Sequence, residues 1–83
     1  MTHDIAPSGA ELLSEIKDIQ RLARGKSVRQ RVRLNRTFGK ASWRKMKGIG
    51  LVRFASGEIR WAELHWFEAH GIGRKEIKVK RPL

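Results

Sequence analysis

The sequence predicts a small α+β domain, in which one N-terminal amphipathic helix packs on a three- to four-stranded antiparallel β-meander that curves toward a barrel. Apolar residues recur at helical spacing before residue 24, and segments typical of strands, separated by glycine turns, follow residue 43. A chain of 83 residues has room for one core. We therefore expect a single domain over residues 8–83, after a flexible leader at residues 1–7.

The helix is predicted from Gly9 to Arg24. Ser8 and Glu11 match a capping box, in which the two side chains satisfy backbone N–H groups of the first turn. The apolar residues that follow recur every three or four positions and form one stripe, and Gly25 is a typical helix stop. The stripe consists of Leu12, Leu13, Ile16, Ile19, Leu22 and Ala23.

Residues 26–42 are rich in arginine, and three structures remain open for them. As an extra strand, Val28, Val32 and Leu34 would lie on the side opposite the arginines. As a helix ending near Gly39, the two valines would lie one turn apart. As an arm, the segment would become ordered only on a partner, as arginine-rich segments often do on nucleic acid. The alternation favours the extended form.

The residues after Trp43 are typical of a three-stranded meander. Ser56-Gly57 predicts a two-residue hairpin turn, and a second turn at residues 70–73 leads into the last strand. Gly48 and Gly50 indicate a bend, a bulge or the close approach of another segment. The predicted register places Ile49, Leu51, Ala62, Leu64, Trp66, Ile77 and Val79 on the core face, although a slip of one residue would exchange the two faces.

The other face of this meander mixes aromatic rings with charges. Trp61 and Phe67 would stack on bases, while Lys78 and Lys80 would hold phosphates beside them. The alternative is that residues 27–34 or a second helix cover this face, which would make its rings a second core layer.

The charge distribution indicates a polyanionic partner. The net charge is +11, and residues 19–57 contain twelve bases and no acid. Nucleic acid is the commonest cellular polyanion, and each base placed at a phosphate releases a condensed counterion. The alternative is a solvated basic surface. The predicted nucleic-acid-binding residues are Arg29, Arg31, Arg33, Arg36, Lys40, Arg44, Lys45, Lys47, Trp61, Phe67, Lys78 and Lys80.

Catalytic and metal-binding motifs are sparse. His65 is a candidate acid or base for RNA cleavage, because imidazole exchanges protons near neutral pH. Its neighbour Glu63 is equally explained by a cross-strand pair with Lys80. The sequence has no cysteine, and its His and Glu residues do not have the spacing of a metal site. We therefore predict no metal, cofactor or small-molecule substrate, and catalysis is less expected than binding.

Membrane insertion and secretion are not expected, since the longest apolar runs are two or three residues. A cytoplasmic location is predicted.

The segment HWFEAHGIGRKEIKVKR, from His65 to Arg81, and the stretch from Trp43 to Gly50 resemble the C-terminal half of short bacterial proteins of uncharacterised function. That resemblance implies a bacterial or phage origin. Size and basicity are also loosely similar to the mRNA interferases of toxin–antitoxin systems, which implies RNA cleavage on a basic sheet with His65 at its centre. The sequence thus predicts a nucleic-acid-binding protein of weak sequence specificity, with a small ribonuclease or a protein-binding inhibitor or accessory module as alternatives.

Overall fold

The computed structural model describes residues 9–83, so the predicted leader and the capping residue Ser8 lie outside the described residues. An antiparallel sheet that curves into a half-barrel and one helix form the domain, which confirms a mixed α+β fold. The elements are β1 (Glu11–Leu12), β2 (Lys17–Arg24), a 3₁₀ turn (Gly25–Ser27), α1 (Arg31–Phe38), β3 (Arg44–Arg53), β4 (Ile59–Ala69) and β5 (Gly73–Pro82).

The three long strands β3, β4 and β5 form the predicted meander, each pairing antiparallel with the next. β1 and β2 pair one after the other with the remaining edge of β3. The N-terminal segment therefore extends the sheet.

The predicted helix over residues 9–24 is wrong, because the described part of this segment forms β1 and β2. Its backbone groups bond to the free edge of β3, and irregularities in the pairing fall between Lys17 and Gln20 and between Arg21 and Ala23. Asp18 has a φ of 53° within the first of these. Such bulges shift the alternation of strand side chains. The resulting apolar spacing resembles that of a helix.

The predicted register of the first hairpin is wrong by one residue. Arg53 pairs with Ile59, so five residues, 54–58, connect the strands in place of a two-residue turn. Gly57 lies in this connection with a φ of 91°, and its N–H donates to the carbonyl of Phe54. Because side chains alternate between faces, this shift puts the even-numbered residues of β3 into the core instead of Ile49 and Leu51.

The pairing of β4 with β5 is predicted correctly at its centre. Leu64 pairs with Val79, and His65 pairs with Lys78. Irregularities on both sides of these two pairs shift the register of the remaining pairs. Glu63 therefore lies opposite Arg81 and not opposite Lys80.

Buried side chains form two clusters. The first lies inside the half-barrel, where Leu64 and Trp66 pack with Ile16 from the segment between β1 and β2. The second joins the helix to the sheet and contains Val28, Leu34, Trp43, Phe67 and Ala69.

Residues 31–38 form a helix that packs on the sheet, so the favoured extended interpretation of residues 26–42 is wrong. The alternative of a helix that ends near Gly39 is confirmed at its C-terminal end, since α1 ends at Phe38 and Gly39 caps it with a φ of 115°; α1 begins at Arg31, so Val28 lies before the helix and not one turn from Val32 within it. Leu34 is fully buried against the sheet, whereas Val32 is exposed. Packing of one apolar side thus decides the conformation of a segment whose local pattern is ambiguous.

Candidate nucleic-acid interface

Basic side chains without an acidic partner concentrate in residues 21–47. This segment has eleven bases, and only Arg33 and Arg44 lie within 4.0 Å of a carboxylate of the described residues. By contrast, three bases at the other end of the sheet, Arg53, Arg60 and Arg81, are all in ion pairs. The net positive charge is therefore concentrated where β2 ends, α1 lies and β3 begins.

A basic concavity lies where β2 passes into the 3₁₀ turn. Its volume is about 430 Å³, and Arg21, Arg24 and Lys26 line it together with Arg44. The N–H of Gly25 donates a 2.9 Å hydrogen bond to the carbonyl of Trp43, which closes the wall between the turn and β3. We name this site the β2 pocket, with the lining residues Arg21, Arg24, Gly25, Lys26, Ser42, Trp43 and Arg44.

The pairing of β2 with β3 places two arginines of the β2 pocket together. Arg24 is directly opposite Arg44 in the antiparallel register. Arg44 donates to Glu68 at 3.1 Å, and Glu68 also accepts a 2.7 Å bond from the indole of Trp66. Burial raises the pKa of Glu68, but these two hydrogen bonds and the positive charges of Arg44 and Arg74 together hold the pKa below its ordinary value. Glu68 is therefore ionised at neutral pH, and each of its two oxygens accepts one hydrogen bond.

Three side chains form a row across the outer surface of the sheet. Lys47 is opposite His65 on β4, and His65 is opposite Lys78 on β5. Residues opposite each other in an antiparallel sheet share a face, so two ammonium groups flank the imidazole. We name Lys47, His65 and Lys78 the outer row.

Glu63 lies beside the outer row and binds its histidine. Its Oε2 is 2.8 Å from Nε2 of His65, and its Oε1 is 3.3 Å from a guanidinium nitrogen of Arg81. The hydrogen bond to His65 lowers the pKa of Glu63, burial opposes it, and the charge of Arg81 adds to the lowering. An ionised carboxylate only accepts, so Nε2 carries the proton in this pair and Nδ1 of a neutral ring is free to accept.

The helix contributes exposed bases next to the same surface. Arg33 is the exception, because its guanidinium donates two hydrogen bonds of 2.6 and 2.9 Å to Glu76 on β5. This pair joins α1 to the sheet and offsets the charge of Arg33. The remaining predicted bases on and around α1 have no carboxylate of residues 9–83 within 4.0 Å; they are Arg29, Arg31, Arg36 and Lys40.

Lys45 is half-buried between the helix and the outer row. It lines a small cavity of about 70 Å³ together with Gln30 and Lys78. Lys80 is exposed near the end of β5.

The two predicted stacking residues differ in exposure. Trp61 is 43% exposed, and the ammonium of Lys17 lies 4.4 Å from its ring centre. Phe67 is only 5% exposed and packs beneath α1 in the second cluster. The prediction that Phe67 is a stacking residue is therefore wrong, because the helix covers its part of the sheet and makes it the second core layer named as the alternative.

The structure also separates Trp61 from the helix. Trp61 and Phe67 are six positions apart on β4, or about 20 Å at about 3.3 Å per residue. A ligand that touches both the bases of α1 and the ring of Trp61 has to run along β4 and cross the outer row at His65.

Three basic lining residues of the β2 pocket, Arg21, Arg24 and Lys26, are missing from the predicted site. The helical interpretation places Arg21 and Arg24 in a last turn, where they suit the helix dipole, and Lys26 in the arm that follows. A signal for them exists in the sequence, because no acidic residue accompanies them between positions 19 and 57. Their convergence depends on the pairing of β2 with β3.

Neither a cluster of metal-ligating side chains nor a membrane-spanning helix is found in the described part of the chain. No three side chains of His, Asp or Glu converge within residues 9–83. In the same range, no helix has the length and apolar character needed to cross a bilayer.

Comparisons with protein-family models, curated proteins and solved structures found no match for this chain.

Proposed function

We propose that this chain is a small basic protein that binds RNA or DNA with weak sequence preference. The observation that carries the proposal is a set of nine bases, among the eleven of residues 21–47, that have no carboxylate of residues 9–83 within 4.0 Å. Such a concentration repels itself unless a polyanion or salt screens it. Glu68 and Glu76 are each engaged by an arginine of the same segment, Arg44 and Arg33.

Two features favour nucleic acid over a compact anion. The bases extend from the β2 pocket across α1 to the outer row, which suits a ligand with regularly spaced phosphates. Trp61 adds an exposed ring farther along the same sheet, and single-stranded bases stack on such rings. Phosphate contacts fix position without reading sequence, so we expect little base preference.

The test is a binding titration of the whole chain with labelled single-stranded RNA, single-stranded DNA and duplex DNA at about 50 and 200 mM salt. We expect binding that weakens steeply over this range. The decisive variant replaces Lys45, Lys47 and Lys78 by glutamine. Its control carries Arg53→Gln, Arg60→Gln and Arg81→Gln, which remove the same charge from the other end of the sheet.

A larger loss of affinity in the first variant than in the control would support the proposed interface. Equal losses would mean that net charge alone attracts the nucleic acid. Absence of binding at low salt would exclude the proposal and leave an acidic protein partner as the explanation of the charge.

A small ribonuclease is the second candidate, and the contact between Glu63 and His65 favours it. With Nε2 bound to the carboxylate, Nδ1 could take the proton of a ribose 2′-hydroxyl, whose oxygen then attacks the adjacent phosphorus. The 5′-oxygen leaves with a proton from Lys78, which gives a 2′,3′-cyclic phosphate and a 5′-hydroxyl. His65→Ala should then abolish cleavage and leave RNA affinity nearly unchanged; intact RNA after incubation with the wild-type chain, with ribosomes present, would exclude this candidate.

A further inference from the structure

The β2 pocket brings together positive charges from two separate segments of the chain, residues 21–26 and the start of β3. Arg21 and Arg24 come from β2, Lys26 from the 3₁₀ turn and Arg44 from the start of β3. None of the first three has a carboxylate of residues 9–83 within 4.0 Å, and all three are exposed. The pocket is thus open to solvent, and its positive charge is largely uncompensated by these residues.

The register makes this arrangement costly without a ligand. Arg24 is directly opposite Arg44, and like charges in that position destabilise a sheet. Glu68 offsets part of the charge of Arg44, but it lies outside the pocket lining and also accepts from Trp66. An anion in the pocket would relieve the repulsion that the strand pairing imposes.

We propose that the β2 pocket binds a phosphate group of a nucleic-acid strand. Guanidinium groups match the planar, bidentate geometry of phosphate oxygens, and Arg21 and Arg24 supply two of them. The volume of about 430 Å³ leaves room for a phosphate with its flanking sugar atoms. This assignment rests on the proposed function and names the group that anchors the strand.

The aromatic residue of the pocket explains why a phosphate and not a base is the group bound there. Trp43 is fully buried, its indole N–H donates to Asn35, and its ring packs against Phe38 at 5.9 Å between centroids. Because Trp43 is the aromatic residue of the lining and its ring has no exposed face, bases find no aromatic stacking partner among the residues that line the pocket. Stacking is left to Trp61, on the outer surface of the sheet.

The test compares an Arg21→Gln/Arg24→Gln variant with an Arg53→Gln/Arg60→Gln control, which removes the same charge from the far end of the same sheet. The dissociation constant for a 12-nucleotide single strand is measured over a series of salt concentrations. The pocket variant should lower the slope of log K against log salt by about 0.7 for each phosphate that the protein no longer neutralises, and the control should leave it unchanged. Equal slopes in both variants would overturn the pocket while the proposed function stands.

Folding of the pocket variant provides an internal check. Because Arg24→Gln removes the charge opposite Arg44, we expect the melting temperature of the variant to equal or exceed that of the wild type. A clear fall in melting temperature would mean that the arginines serve the fold, and it would overturn the anion-binding role. Absence of any binding by the wild type would instead remove the proposed function, and this inference with it.

A second measurement identifies the chemistry of the ligand. Backbone amide resonances of Gly25, Lys26 and Ser42 are followed by NMR during titration with pyrophosphate, with a tetranucleotide and with an oligoglutamate peptide at equal ionic strength. Saturable shifts with the tetranucleotide at lower concentration than with pyrophosphate would support a strand phosphate. Tighter binding of pyrophosphate would assign the pocket to a free phosphate compound, and equal shifts with oligoglutamate would assign it to an acidic protein partner.

Discussion

Asn35 and Trp43 join the end of α1 to the beginning of β3. The Oδ1 of Asn35 accepts a 2.9 Å hydrogen bond from the indole N–H of Trp43 and a 3.2 Å bond from the backbone N–H of Ala41. Trp43 is fully buried and its carbonyl accepts from Gly25. One amide thus positions the indole that supports both the helix and the wall of the β2 pocket.

Replacing Asn35 by alanine should destabilise the fold, because the buried indole N–H loses its acceptor. An unsatisfied buried donor costs about 1–3 kcal/mol, which we expect as the fall in the free energy of unfolding in urea. Asn35→Asp is the matched control, since a carboxylate still accepts from Trp43 and should retain most of the stability. Unchanged stability of Asn35→Ala would show that the hydrogen bond contributes nothing.

Gly48 on β3 is predicted to be intolerant of a side chain. A Cβ there would lie 2.5 Å from Cγ2 of Ile16 and 3.0 Å from the carbonyl oxygen of Lys17. Gly48→Ala should therefore cost about 1–3 kcal/mol of unfolding free energy and increase amide exchange in β2.

A double-mutant cycle with Ile16→Ala tests the cause. Because Ile16→Ala removes the atom nearest to the added methyl group, the double variant should be more stable than the two single costs predict. Strictly additive losses would contradict a clash between these two positions.

Stability should fall in acid through Glu76. The hydrogen bonds from Arg33 lower the pKa of Glu76 although burial opposes them. A carboxylate whose pKa is lower in the folded than in the unfolded chain stabilises the fold fully at pH values above its unfolded pKa of about 4.3. This stabilisation is lost as the pH falls through the folded pKa. Since Arg33 is half-exposed, we expect Glu76→Gln to cost about 0.2–1 kcal/mol at pH 7 and nothing at a pH below the folded pKa.

Thermal melts of Glu76→Gln and Glu58→Gln over this pH range separate a hydrogen-bonded ion pair from a longer and more exposed one. Glu58 lies 3.9 Å from Arg60, and its side chain is 60% exposed, so its variant should follow the wild type. A constant difference between Glu76→Gln and wild type at every pH would contradict the assignment to ionisation.

Only Trp61 should report a ligand by fluorescence. Trp43 and Trp66 are buried, whereas Trp61 is 43% exposed, so acrylamide should quench one of the three indoles. If bases stack on its ring, Trp61→Leu should weaken binding of a single strand by about 1–3 kcal/mol. The control is Ile59→Ala, an exposed apolar residue two positions away on β4; an equal loss there would indicate general apolar contact without stacking.

Local sequence signals predict the last two strands well. Leu64 opposite Val79 and His65 opposite Lys78 follow from the turn glycines and the alternation of β4 with β5. The close approach indicated by Gly48 and Gly50 is also found, since Leu12 and Ile16 reach β3 at these two positions.

Helical spacing in residues 9–24 misleads because bulges displace the apolar residues from strict alternation. Ile19 and Leu22 then look like part of a helix stripe, yet each is 44% exposed on the edge strand. The prediction of the first hairpin is wrong for a related reason. A five-residue connection replaces the two-residue turn, and the resulting register shift of one residue exchanges the two faces of β3. Neither the strand conformation of residues 9–24 nor the register of the first hairpin is determined locally. Both depend on which strand edges pair and which sheet faces are buried.

The charge, the size and the alternation of side chains along β4 and β5 can be read from the sequence. They are enough to predict the basic segment, the small α+β domain and the central pairing of the last two strands. Where the charges meet depends on contacts between distant segments. The pairing of β2 with β3 places Arg24 against Arg44, and the packing of α1 buries Phe67 and engages Arg33 with Glu76. Such contacts join residues far apart in sequence, and their free energies arise only when the sheet and helix are assembled.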